Sequence, residues 1–204
     1  MIFRQASSVF AACLLVSACQ STWTPITEEN AEIQLGHLHF TTARNWMIYN
    51  DHFNNYGGTA NAKFKDNSLQ RIMLSKNGFG LDIIDIIRFN AKRAFPSLKR
   101  GLPRGRLPIE LVELYIAEQK ALTGVSIFTI TRNEPREIAK QEGFLLQFHY
   151  RNSAGLFIEQ MTYGFADGDY FYVLSFRAPS LHFFDAGIKD FVRLLDDIKL
   201  TTHG

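Results

Sequence analysis

Two histidines, His37 and His39, are spaced i, i+2, so on a strand both imidazoles would leave one face and could offer two ligands to a single metal ion. Spacing identifies no third ligand. There is no His-Glu-x-x-His pattern and no Cys/His cluster, so neither a metal nor another cofactor is expected, and ordinary strand histidines are the plain alternative. Nucleophilic chemistry finds no Gly-x-Ser-x-Gly elbow, and Ser126 follows Gly124 inside an apparent strand rather than at a strand-to-helix turn. Asp196 and Asp197 fall at the end of the last helix and read as solvated, and no glycine-rich phosphate loop is present. No catalytic residue is expected.

The most distinctive cluster is the loop from Lys92 to Arg106. It carries Lys92, Arg93, Lys99, Arg100, Arg104 and Arg106 without one acidic residue, interleaved with Phe95, Pro96, Leu98, Gly101, Leu102 and Pro103. Such a loop could meet lipid phosphates, an anionic glycan or an acidic protein, or it could be a solvated segment kept polar for solubility.

The N-terminus bears on this choice. Arg4 and the initiator amine precede an apolar run from Val9 to Val16, the charged and hydrophobic regions of a secretory signal. A membrane-spanning helix needs about 20 apolar residues, and this run is far shorter. Val16-Ser17-Ala18-Cys19 resembles the lipobox of bacterial lipoproteins. That resemblance implies cleavage after Ala18 and lipid on Cys19, with each buried methylene contributing about 0.8 kcal/mol to anchoring. Gln20, standing where an inner-membrane retention signal would have Asp, implies transfer to the outer membrane with a periplasm-facing domain.

Removing 18 residues from 204 leaves 186, enough for one domain with a full core. Of the two cysteines, Cys13 lies in the discarded signal, so the mature chain would carry only Cys19 and no disulfide. The formal charge of +2 includes Arg4, which leaves the mature chain near neutrality. Nucleic acid is therefore not an expected partner, least of all in an envelope compartment. The expected division is a signal peptide over 1–18, a lipidated cysteine and polar tether over 19–30, and a single domain over 31–204. Trp23, within the tether, would sit at the membrane interface or dock on the domain.

Short period-two runs dominate the chain beyond the tether. Residues 33–40 read as a strand, as do 46–49 and 70–75, with a turn over Asn54 to Gly58. Residues 81–89 fit a helical stripe or a doubly buried strand, and their β-branched content favours the strand. Pro108 starts a helix with Leu111, Leu114, Tyr115 and Leu122 near one face, Gly124 ends it, and 125–131 is a strand. Alternating Phe144, Leu146, Phe148 and Tyr150, a turn over Asn152 to Gly155, a return from Leu156 to Phe165, and Asp167-Gly168 leading into 169–176 predict a three-stranded meander. Tyr170, Tyr172, Leu174 and Phe176 share one face of its last strand, as core; the run Tyr170-Phe171-Tyr172 could also line a groove. A closing helix shows Phe184, Ile188, Phe191, Val192 and Leu195 at helical spacing. Strands with helices set apart make an α+β layer fold, mainly antiparallel.

Phe144, Phe148-His149-Tyr150, the turn at Gly155, Tyr163-Gly164, Asp167-Gly168, Tyr172-Val173-Leu174, Ala178-Pro179, Phe184 and Asp197-Ile198-Lys199-Leu200 together resemble uncharacterised bacterial lipoproteins with a PsbP/Mog1-like α/β sandwich. The resemblance covers roughly the last 60 residues well and the remainder loosely. It implies a sandwich fold whose members are accessory and binding modules rather than one enzyme class. The expectation is an outer-membrane lipoprotein acting as a non-catalytic binding or accessory factor in the cell envelope. The alternative is a hydrolase of envelope material, which would show a polar constellation in a cleft with strongly perturbed titration.

Overall fold

The computed structural model of the chain describes residues 23–49, 69–78, 81–103, 105, 107–125 and 128–201. Among these, strands β1 (Trp23–Pro25), β4 (Met47–Tyr49), β5 (Leu69–Ser75), β6 (Ile83–Asn90), β7 (Thr129–Ile138), β8 (Gln141–Arg151), β9 (Phe157–Asp167) and β10 (Tyr170–Pro179) form one antiparallel sheet. Its order is β1-β4-β5-β6-β10-β9-β8-β7. A second, three-stranded sheet runs β11-β3-β2, from β2 (Ala31–Leu35), β3 (Leu38–Thr42) and β11 (Lys199–Leu200). Helices α1 (Pro108–Thr123) and α2 (Phe183–Asp196) complete the fold.

Period-two patterning divides the large sheet's side chains between two cores. On one face Leu74, Ile84, Leu145, Tyr172, Leu174 and Phe176 pack with Phe184, Phe191 and Leu194 of α2 and with Leu35, Leu38 and Phe40 of the small sheet. On the other, Phe144, Leu146, Phe148, Ala166, Phe171 and Val173 meet Leu111, Val112 and Tyr115 of α1 and Ala94 and Phe95 on the inner side of the basic loop. Fully burying one such side chain contributes about 1.5–3 kcal/mol. The result is the expected α+β architecture, an antiparallel sheet with a helix on each face.

The meander β8-β9-β10 stands as read, and residues 81–89 resolve as strand β6. Helix α1 ends at Gly124, whose φ of 68° is the left-handed cap that glycine adopts without a Cβ penalty. Four readings are corrected. Residues 33–40 are not one strand but a hairpin, Leu35 pairing with Leu38 around Gly36 and His37. His37 lies in the turn while His39 is on β3, so the two imidazoles share no strand face. The stretch read as tether contributes β1, with Trp23 pairing Tyr49 and meeting its ring edge-on at 5.0 Å, so Trp23 docks on the domain. The strand expected over 125–131 starts at Thr129 and runs on to Ile138.

A candidate ligand cleft beside the basic loop

Helix α1 roofs the sheet over β8, β9 and β10, and its flank leaves a cleft of about 130 Å³ above β5, β6 and β10. Strand register sets the floor. Phe171, Val173, Ser175 and Arg177 of β10 stand beside Phe89, Ile87, Asp85 and Ile83 of β6 respectively, and Leu69 of β5 pairs with Phe89. The wall is Tyr115, Glu118, Gln119 and Leu122 of α1, and the end is closed by Phe95 and Pro96. Leu122, expected near the apolar face, is 53% exposed at the rim.

Polar groups run in a band across this floor. Arg71 donates through Nε to Asp85 Oδ1 at 2.6 Å and through Nη2 to Oδ2 at 2.5 Å, a bidentate ion pair. Gln160 Nε2 donates to Tyr115 Oη and to Thr162 Oγ1, each at 3.0 Å. Tyr115 is buried, and burial pushes its phenol well above the ordinary tyrosine range, so it stays neutral as a hydrogen-bonding group. Glu118 accepts from the backbone N–H of Ser97 at 2.9 Å and of Leu98 at 3.1 Å, spending its carboxylate on the loop. Arg177 differs from all of these: half-buried, its guanidinium makes no hydrogen bond or ion pair among the described residues.

The described part of the basic loop, residues 92–103, is an ordered element rather than a free strand of charge. Phe95 and Arg100 exchange backbone hydrogen bonds at 2.9 and 3.0 Å, Lys99 turns with φ 54°, and Leu102 N–H reaches Ala91 O at 2.7 Å. Phe95 is buried and stacks at a tilt 5.4 Å from Phe171. Lys92, Arg93, Lys99 and Arg100 are exposed. Arg104 and Arg106 lie outside the described residues, as do Ala18, Cys19, Ser126 and the turn expected over Asn54 to Gly58. Asp197, read as solvated, is exposed and accepts from Thr41 Oγ1 at 2.5 Å, and Asp196 is exposed. Among the described residues, the His39 imidazole pairs with Glu32 at 3.4 Å, and no three His, Cys, Asp or Glu side chains converge.

Sequence reading missed the cleft. Its available signals were Asp85 inside an isoleucine run and Glu118 inside the apolar stripe of α1, each a charge where burial is expected.

No protein-family model matches the chain, and no curated protein does. Solved structures do. The cyanobacterial PsbP protein of Synechocystis sp. PCC 6803 superposes with a TM-score of 0.56 at 8% identity, over 84% of this chain and 92% of that one. A point mutant of Mog1 superposes with a TM-score of 0.51 at 10% identity, over 85% of this chain and 96% of that one. Identities this low carry fold and not function, so the finding is that this chain adopts a Mog1/PsbP-like fold.

Proposed function

We propose that the protein is an outer-membrane lipoprotein, anchored through Cys19, whose domain serves as a non-catalytic binding or accessory factor and rests its basic loop on the anionic lipid surface. The observation that carries this reading is strand direction. β1 is antiparallel to β4, and β4 to β5, so β1 points the same way as β5. The N-terminal end of β1 is therefore on the end of the sheet where β5 starts at Leu69 and β6 finishes at Asn90, which is where the basic loop emerges. From Cys19 to Trp23 the chain can span at most ~14 Å at ~3.6 Å per residue. An anchor on that leash holds this end, with Lys92, Arg93, Lys99 and Arg100, toward the headgroups.

Support for a non-catalytic role comes from how the cleft's acids are used. Asp85 is taken by Arg71 and Glu118 by two backbone amides, so neither is placed to act as a base for Ser175, and among the described residues no histidine lines the cleft. The alternative reading, a hydrolase, lacks a paired nucleophile and base there.

The test has two arms. Expressed in a Gram-negative host, the wild-type chain is expected to fractionate with outer membranes and carry lipid mass, whereas Cys19→Ala is released without it. Unlipidated Cys19→Ala protein is then added to vesicles of phosphatidylglycerol and phosphatidylcholine. Replacing Lys92, Arg93, Lys99 and Arg100 with glutamine should weaken binding roughly a thousandfold, since each of the four charges near such a surface is worth about 1 kcal/mol. A soluble, unmodified wild type removes the anchor, and unchanged vesicle binding removes the loop.

A further inference from the structure

We infer that the cleft beneath α1 binds a small monocarboxylate with a compact apolar body, its carboxylate held by Arg177. Three observations lead there. First, the cleft has two ends of different chemistry: Leu69, Ile87, Phe89, Phe95, Phe171 and Val173 at the loop side, and Ser175, Arg177, Gln160 and Tyr115 at the other. A ligand that fills it is apolar at one end and hydrogen-bonding at the other.

Second, Arg177 is the guanidinium in the cleft whose charge no neighbour among the described residues pairs. Its strand neighbours across β10 are Ile83 and Gln160, neither of which is anionic. Asp85 lies one register step away, but both its oxygens are held by Arg71. Glu118 faces the loop backbone. The facing phenols of Tyr115 and Tyr150 are both raised by burial and so stay neutral. A half-buried arginine that keeps its charge is satisfied by an anion, and its planar fork matches a carboxylate with two parallel hydrogen bonds.

Third, charge and volume select the class. With Arg71 matched to Asp85, and the Glu118 carboxylate lining the same cleft, a singly charged anion balances Arg177, whereas a doubly charged phosphate monoester leaves surplus negative charge beside two carboxylates. The 130 Å³ available is close to the roughly 150 Å³ apolar cavity size that takes up a single benzene ring. A one-ring or short branched acid fits, and a long acyl chain does not.

The inference does not depend on lipid attachment and is tested with detergent-solubilised protein expressed from the full sequence. Isothermal titration would use phenylacetate, its neutral isostere phenylacetamide, and phenyl phosphate. Phenylacetate is expected to bind, and the other two to bind at least about tenfold more weakly. Arg177→Met should lose at least about tenfold for phenylacetate while leaving phenylacetamide unchanged, with thermal unfolding confirming that the variant is folded. If that variant does not fold, the carboxylate-against-amide comparison on the wild type decides. Equal affinity for acid and amide, tighter binding of phenyl phosphate, or no binding of phenylacetate would each overturn the assignment.

Discussion

Arg71 grips both carboxylate oxygens of Asp85 on the α1 side of the sheet, with the Asp85 side chain only 7% exposed and the Arg71 side chain 21%. Removing one partner of a pair this buried leaves the other charged and unmatched, at a cost of about 3–5 kcal/mol. Arg71→Met should therefore lower the urea midpoint sharply. The double variant Arg71→Met with Asp85→Leu should recover most of that loss, because two apolar side chains replace two desolvated charges. A double variant no more stable than the single one would mean that the pair's shape, not its charge, holds β5 to β6.

Tyr115 offers a pH-dependent test. Its folded phenol titrates above its unfolded value of about 10, as do the phenols of Tyr150, Tyr163 and Tyr172. A raised folded value means that the native state holds the proton more tightly. The stability tied to it is whole below pH ~10 and is lost as pH climbs from there toward the folded value. At pH 7, Tyr115→Phe should cost about 1–2 kcal/mol, since Gln160 loses an acceptor. Above pH 10 the gap between wild type and variant should narrow, as read from urea unfolding at pH 7 and pH 11.

Gly187 in α2 lies under a fully buried ring: a Cβ there would stand 2.5 Å from Cζ of Phe176. On helix propensity alone, Gly187→Ala should gain up to ~1 kcal/mol. Overpacking against a ring that cannot swing aside costs about 1–3 kcal/mol, so the net effect is expected to be destabilising. Adding Phe176→Leu should relieve the clash, and a melting temperature that rises in the single variant would show that α2 can lift off the sheet cheaply.

Glu118 ties the loop to the helix. Glu118→Ala removes the acceptor for two backbone N–H groups and should cost about 1–3 kcal/mol. The larger readout is local: amide exchange at Ser97 and Leu98 should accelerate well beyond the global change. Uniform acceleration across the domain would place Glu118 in the core's stability rather than the loop's order.

How much of the fold was legible in sequence depended on whether local signals agreed with tertiary ones. The meander β8-β9-β10 could be read because Gly155 and Gly168 mark its turns and aromatic residues alternate between them. Strand β7 was read short because its hairpin to β8 turns on Ala139 and Lys140, with φ of 50° and 65°, where glycine or asparagine would have signalled the turn. Pro135 hid the strand further, since proline is tolerated there only because β7 is an edge. Gly36 was visible, yet its meaning was not: the apolar positions change parity across it, from Ile33 and Leu35 to Leu38 and Phe40, and that break passes for imperfect alternation within one strand. The cleft escaped notice for a different reason. Arg71 and Asp85 pair diagonally across β5 and β6, and no spacing along the chain encodes which charges a sheet will bring together.

Strand β1 also has a mechanical reading. Tension on the chain ahead of Trp23, directed away from the sheet's end, runs along the strand axis. It loads the pairings of Trp23 with Tyr49, Thr24 with Ile48 and Pro25 with Met47 at once, in shear, rather than opening them in turn like a zipper. The backbone bonds from Ile26 N–H to Trp46 O at 2.8 Å and from Asn45 N–H to Ile26 O at 3.1 Å extend that shared load to the next residue. A force applied at the amino end is thereby passed into the sheet through its edge, and the two cores on either side of the sheet are not prised apart.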